Sequence, residues 1–170
     1  LQRLLEELYR LDEQADFIVL DTGAGIGDNV IQFALVAHEV LVITTPEPTA
    51  LADAYGLTKV VTAENPEARL RLVVNLVAGE SEAVAIHQRL NQVMRRFLRR
   101  EIELLGWIPR DGAVSAAVSR QEPLVLAYPR SPAAQAIYRI ADRLLGVAGT
   151  APRQGVTDVV KRMISFLRRG

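Results

Sequence analysis

Four continuous apolar runs punctuate the chain: Phe17-Ile18-Val19-Leu20, Val40-Leu41-Val42-Ile43-Thr44-Thr45, Leu70 to Val77 and Leu104 to Ile108. A run with no polar alternation predicts a strand buried on both faces, and strands separated by helices predict a parallel sheet. The segments between them have helical spacing: Asn29 to Ala37, Thr49 to Ala63, and Ser81 to Arg100 with Ser81 as its cap. A small helix over Ala113 to Ser119, a turn-rich loop over Gln121 to Pro132 and a last core helix over Ala133 to Leu145 follow. The expected fold class is α/β, a parallel sheet with helices on both faces.

Leu1, Leu4, Leu5, Leu8 and Leu11 form a helical stripe at the start. The chain opens inside that pattern, without an initiator Met, and is expected to be a fragment of a longer protein. Residues 1–146 are expected to form the main domain and 147–155, rich in small residues, a flexible linker. Residues 156–169 then form a short basic amphipathic helix. At about 100° per residue, Val156, Val159, Val160, Met163, Ile164, Phe166 and Leu167 share one stripe, with Lys161, Arg162, Arg168 and Arg169 across from it.

Composition removes several functions. Lys and Arg total 20 and Asp and Glu total 20, so no overall charge favours nucleic acid. With no Cys, disulfides, iron–sulfur clusters and Cys-based zinc sites are excluded. His38 and His87 lack ligand-spaced partners, and Ser81, Ser115 and Ser119 lack a nucleophile-elbow context. Trp107 sits in a predicted strand and is expected in the core. Arg95, Arg96, Arg99 and Arg100 are expected to form a solvated helix face, since Glu101 and Glu103 follow. No apolar run approaches the ~18 residues of a membrane span, and no signal peptide is visible, which fits a cytoplasmic protein.

In open α/β sheets ligands bind beyond the carboxyl ends of the strands. Asp21, Thr44 to Glu47, Asn75 and Pro109 to Asp111 all fall at such ends. In Asp21-Thr22-Gly23-Ala24-Gly25-Ile26, the acidic residue and the small-residue turn suit Mg²⁺ and phosphate. Asp21 would hold the ion through a water, and Thr22, Gly23 and Gly25 would bring backbone N–H groups close to a terminal phosphate. A tight turn in which Asp21 caps the next helix is the alternative.

That sextet resembles the switch segment of the MinD/ParA superfamily of ATPases. Thr44-Thr45-Pro46-Glu47-Pro48-Thr49 with Asp53-Ala54-Tyr55 is similar to the FlhG branch, the MinD-like ATPases that set flagellar number and placement. Val73-Val74-Asn75, Gly106-Trp107-Ile108-Pro109-Arg110-Asp111, Pro123-Leu124 and Tyr128-Pro129-Arg130-Ser131-Pro132 continue in the same order, so the likeness covers roughly residues 10–146. The resemblance implies a deviant Walker (SIMIBI-type) P-loop NTPase fold, with Mg²⁺ and ATP as cofactors of the intact protein. It gives Asn75, Pro109 and Asp111 to the adenine pocket, and Glu47 and Asp53 to the dimer or partner face. A strand-end turn for Asn75 and Pro109 to Asp111, and a solvated helix position for Asp53, remain open. No Walker A loop with its lysines occurs in these residues, so the chain by itself is expected to bind nucleotide weakly and hydrolyse nothing.

The resemblance also makes residues 156–169 a membrane-targeting helix. A basic amphipathic helix gains from buried apolar residues and from anionic lipid, and two helices on a dimer gain avidity. Packing of that helix on its own domain or on a partner is the alternative. The implied partners are a second copy in an ATP-dependent homodimer, the anionic inner face of the cell membrane, a flagellar signal-recognition-type GTPase and components of the flagellar switch ring. MinD-like division-site placement, ParA-like partitioning, and a non-catalytic membrane and partner adaptor are the rival functions.

Overall fold

The computed structural model describes residues 15, 17–23 and 25–148. The order is α1 (Asp28–Val36), β1 (Val40–Thr44), α2 (Pro48–Glu64), β2 (Leu70–Val77), α3 (Glu80–Leu98), β3 (Glu103–Pro109), α4 (Gly112–Ser119), α5 (Leu124–Ala127) and α6 (Pro132–Ala148). The strands form one parallel sheet in the order β1-β2-β3, with Val42 opposite Leu72 and Val74 opposite Trp107. The expected parallel α/β architecture is therefore present.

Local chemistry sets the helix limits. Pro48 occupies the first turn of α2, where its missing N–H costs no hydrogen bond. In α3, Glu80 and Glu82 stand in the first turn and Arg95 and Arg96 in the last, each sign matched to the helix dipole. Glu82 accepts the Ala78 N–H at 2.6 Å, and Gly79 is the cap. Ser81 lies inside the first turn, one residue past the start of the helix, so it is not the predicted cap.

Two faces of the sheet are covered differently. Val42, Leu72 and Val74 pack with Ala54 of α2 and Ile86 and Leu90 of α3, and Leu104 and Trp107 join this layer. Buried Asn91 ties α3 to the approach to β3: its Oδ1 accepts the Ile102 N–H at 2.8 Å and its Nδ2 donates to the Ile102 carbonyl at 3.1 Å. On the opposite face α6 lies on β3, close enough that a Cβ on Gly106 would sit 2.6 Å from Ile140 Cγ1.

The strand expected over the Phe17–Leu20 run is a correction. No described residue there joins the sheet. Phe17 is 51% exposed and Val19 86%. A strand needs a ladder partner and an apolar face needs cover, and neither is present beside Phe17–Leu20 among the described residues. Among the described residues the outer edge of β1 is unpaired as well, and Ile43 is 63% exposed on the face that α6 leaves uncovered. At the other end, α6 runs to Ala148, two residues into the expected linker. The opening leucine stripe, the rest of the linker and the helix at 156–169 lie outside the described residues.

Candidate functional site at the carboxyl ends of the strands

Backbone geometry at the end of β2 is irregular where the ligand site was expected. Val74 pairs with Trp107 and Val77 with Pro109, so three steps along β2 oppose two along β3. The extra residue makes a bulge, and Leu76 within it takes a left-handed conformation with φ 58°. A non-glycine residue held there costs about 1–2 kcal/mol, and such strain gathers at functional sites.

Three contacts hold the bulge. Asn75 Oδ1 accepts the Leu76 N–H at 2.9 Å, which leaves its Nδ2 free to donate. The Arg110 backbone N–H donates to the Val77 carbonyl at 2.9 Å, and Arg110 Nε donates to the Leu76 carbonyl at 2.8 Å. Asn75, Pro109 and Arg110 are thereby gathered at one edge of the sheet. Thr44 to Glu47 lie on the same edge beyond β1, with Glu47 at the N-cap position of α2 but making no side-chain cap hydrogen bond. Asp53 is exposed on α2.

Asp111 has a different position from its neighbours. Its Oδ1 accepts the Ala113 N–H of α4 and its Oδ2 the Ala133 N–H of α6, both at 2.9 Å. The Ala133 and Ala113 amides, with help from Ser131, hold this carboxyl below the usual carboxylate range against the opposing effect of burial. Both oxygens therefore serve helix starts, tying the end of β3 to α4 and α6.

Asp21, Thr22 and Gly23 stand exposed outside the sheet. Gly25 has φ 98°, a conformation that only glycine adopts without strain, and Ile26 beyond it lies against Gly56 of α2. Among the described residues no group of three His, Asp or Glu side chains could hold a metal ion. A single carboxylate suits Mg²⁺ when phosphates and waters supply the remaining ligands.

A second surface escaped the sequence reading. Leu51, Ala52, Tyr55, Arg89, Leu90 and Val93 line a cleft of about 220 Å³ between α2 and α3. Phe97, one turn beyond Val93 on α3, is 62% exposed, and the Arg96 guanidinium lies 5.3 Å from its ring centre. Lys59 is exposed one turn beyond Tyr55. The recoverable signal was the apolar pair Val93 and Phe97 at helical spacing among arginines. Of the arginines expected to be solvated, Arg95 pairs with Glu101 at 3.0 Å, while Arg100 donates to the Pro66 and Ala68 carbonyls.

Comparison with known proteins agrees with this fold. The ParA family model, described as an NUBPL iron-transfer P-loop NTPase, matches residues 1–145. The chain is 34% identical over 141 residues to the antiactivator FleN of Pseudomonas aeruginosa, covering 83% of this chain and 50% of FleN. It is 32% identical over 157 residues to the flagellum site-determining protein YlxH of Helicobacter pylori, covering 89% of this chain and 53% of YlxH. Thus the chain spans about half the length of the curated relatives it matches. The septum site-determining protein MinD of Pyrococcus horikoshii, solved with Mg-ADP, superposes with a TM-score of 0.67 at 22% identity over 89% of this chain and 59% of that one.

Proposed function

Because the chain belongs to the ParA family of P-loop NTPases, we propose that it is part of a MinD-like ATPase that controls flagellar number or placement. The observation that carries the nucleotide reading is the bulge at Asn75 and Leu76, which meets Pro109 and Arg110 beyond the carboxyl ends of the strands. The likeness to a flagellum site-determining protein supports flagellar control over septum placement.

In this reading Asn75 Nδ2 donates to a ring nitrogen of the adenine, and Pro109 forms one wall of its pocket. Asp111 fixes that wall through the starts of α4 and α6. Asp21 would hold Mg²⁺ through water, and the backbone of Thr22, Gly23 and Gly25 would face the terminal phosphate. Bound Mg-ATP supplies the γ-phosphate as electrophile, with the ion neutralising its charge. The rest of the nucleotidase would pair with the edge of β1 that is unpaired among the described residues, and would cover the exposed Phe17, Val19 and Ile43.

Dimerisation and reversible membrane attachment complete the proposal. ATP-dependent pairing of two copies would bring two helices at 156–169 to one anionic surface, where each alone is marginal. Among the described residues no helix is long and apolar enough to cross a membrane. The α2–α3 cleft is the partner surface, with Glu47 and Asp53 at the adjoining edge. Its apolar floor and its rim of Lys59, Arg89 and Arg96 suit an acidic amphipathic helix from a component of the flagellar switch ring.

Counting flagella tests the assignment. Cells whose only copy carries Asn75→Ala are expected to differ from wild type in the number or position of flagella. Unchanged flagella with a displaced division septum would contradict it.

A further inference from the structure

The last turn of α3 and the end of α6 meet at the amino ends of the strands, away from the bulged edge. Asp111 holds the start of α6 beside the end of β3, Ile140 meets Gly106, and Arg143 reaches the Leu105 carbonyl. So α6 runs back along β3 and ends at Ala148, toward the first strand residue, Glu103. On the other face α3 closes at the same place, because residues 99–102 alone separate it from β3 and Arg95 pairs with Glu101 at 3.0 Å. The chain after Ala148, with the helix expected at 156–169, is therefore tethered at this amino edge.

The tip of α3 carries cations that the fold leaves uncommitted. Arg95 is taken by Glu101, and Arg71 by Glu39 and Glu103. Glu67 and Arg69, exposed in the turn before β2, offset each other. Arg96 and Arg99 are exposed and have no ion pair among the described residues. The Arg96 guanidinium lies 5.3 Å from the ring centre of Phe97, itself 62% exposed. Arg99 ends the helix in the left-handed region at φ 52°, a position where glycine meets no steric cost. Arg95 and Arg96 already complement the helix dipole. A third arginine held at a strained position points to use of its charge.

We propose that Arg96, Phe97 and Arg99 form a second membrane contact, binding anionic lipid headgroups beside the helix at 156–169. The inference rests on the membrane reading of that helix and deepens it. An exposed ring among uncommitted cations suits a bilayer surface: the ring enters the headgroup layer and the guanidinium groups meet phosphates. One short amphipathic helix is marginal, and a second signal on the same side of the molecule makes attachment stable. Phe97 also flanks the α2–α3 cleft, so lipid and a cleft-bound partner would compete for its ring.

The test uses the full-length gene product with Mg-ATP and vesicles of phosphatidylglycerol and phosphatidylethanolamine. Wild type is compared with Arg99→Gly, Arg99→Lys, Arg96→Gln/Arg99→Gly and a chain lacking residues 156–170. Arg99→Gly removes charge and backbone strain together, so its thermal midpoint is expected at or above the wild-type value. Its vesicle affinity is expected to fall roughly fivefold and that of the double variant more than tenfold, while Arg99→Lys binds as wild type. Wild-type affinity in Arg99→Gly and in the double variant overturns the proposal, and loss of binding by the shortened chain then leaves the tail reading intact. Weaker binding of a switch-ring component by Arg99→Gly, with vesicle affinity unchanged, assigns the tip to that protein and also overturns it. Failure of the wild-type protein to bind the vesicles overturns both.

Discussion

Asp111 Oδ2 accepts the backbone N–H of Ala133 at 2.9 Å, joining the end of β3 to the start of α6 across 22 residues of sequence. The other oxygen caps α4 through Ala113, so one carboxylate anchors two helices. Its charge should therefore matter to stability. Asp111→Asn is expected to lower the thermal midpoint at neutral pH. The folded carboxyl titrates below its unfolded value, about 3.9. Its contribution is complete above that pH and is lost as pH falls through the lower folded value. The gap between wild type and variant should thus be constant near neutrality and narrow below about pH 4. A gap that widens on acidification would contradict this role.

Gly106 allows α6 to lie directly on the sheet. A methyl group there meets Ile140 Cγ1 at 2.6 Å, in the middle of a packed side chain. Gly106→Ala is expected to cost about 1–3 kcal/mol, the usual range for an overfilled core. Chemical denaturation measures it, and Gly106→Ala with Ile140→Val should recover part of the loss. Wild-type stability in Gly106→Ala would mean that α6 packs elsewhere.

Binding to a switch-ring component should depend on the α2–α3 cleft. Phe97→Asp and Arg89→Glu change exposed side chains, so both should fold with near-normal thermal midpoints. Each is expected to weaken binding by at least about tenfold, or 1.4 kcal/mol, in an interferometry measurement. High salt should weaken the wild-type complex through the cationic rim. Full binding by both variants would remove the cleft as the partner site.

Vesicle flotation addresses the end of the chain. Wild-type protein is expected to float with vesicles containing anionic lipid and to sink with neutral ones. Deletion of residues 156–170 should abolish flotation, and undiminished binding by the deleted protein would assign the membrane contact elsewhere.

Much of the frame was legible in the sequence because parallel strands here are unbroken apolar runs. Val40–Thr44 and Leu70–Val77 coincide with such runs, and the helices expected from Thr49 and Ala113 each begin one residue earlier, at Pro48 and Gly112. The failures share a cause. Phe17–Leu20 has the composition of a buried strand, yet burial requires neighbours that local sequence does not specify. The left-handed Leu76 was invisible for a similar reason: an apolar residue carries no mark of a bulge that arises from pairing with Pro109. At the site, the strand-end positions of Asn75 and Pro109 could be read directly. That both Asp111 oxygens are occupied depends on Ala133, which is distant in sequence and could not be.

Titration calorimetry of Mg-ATP into the full-length gene product, wild type beside Asn75→Ala, decides whether the bulged edge is a nucleotide site. One saturable, Mg²⁺-dependent nucleotide per chain is expected, with affinity at least about tenfold weaker in Asn75→Ala. No binding by the wild-type protein, or equal binding by the variant, would contradict the assignment of this edge to a nucleotide.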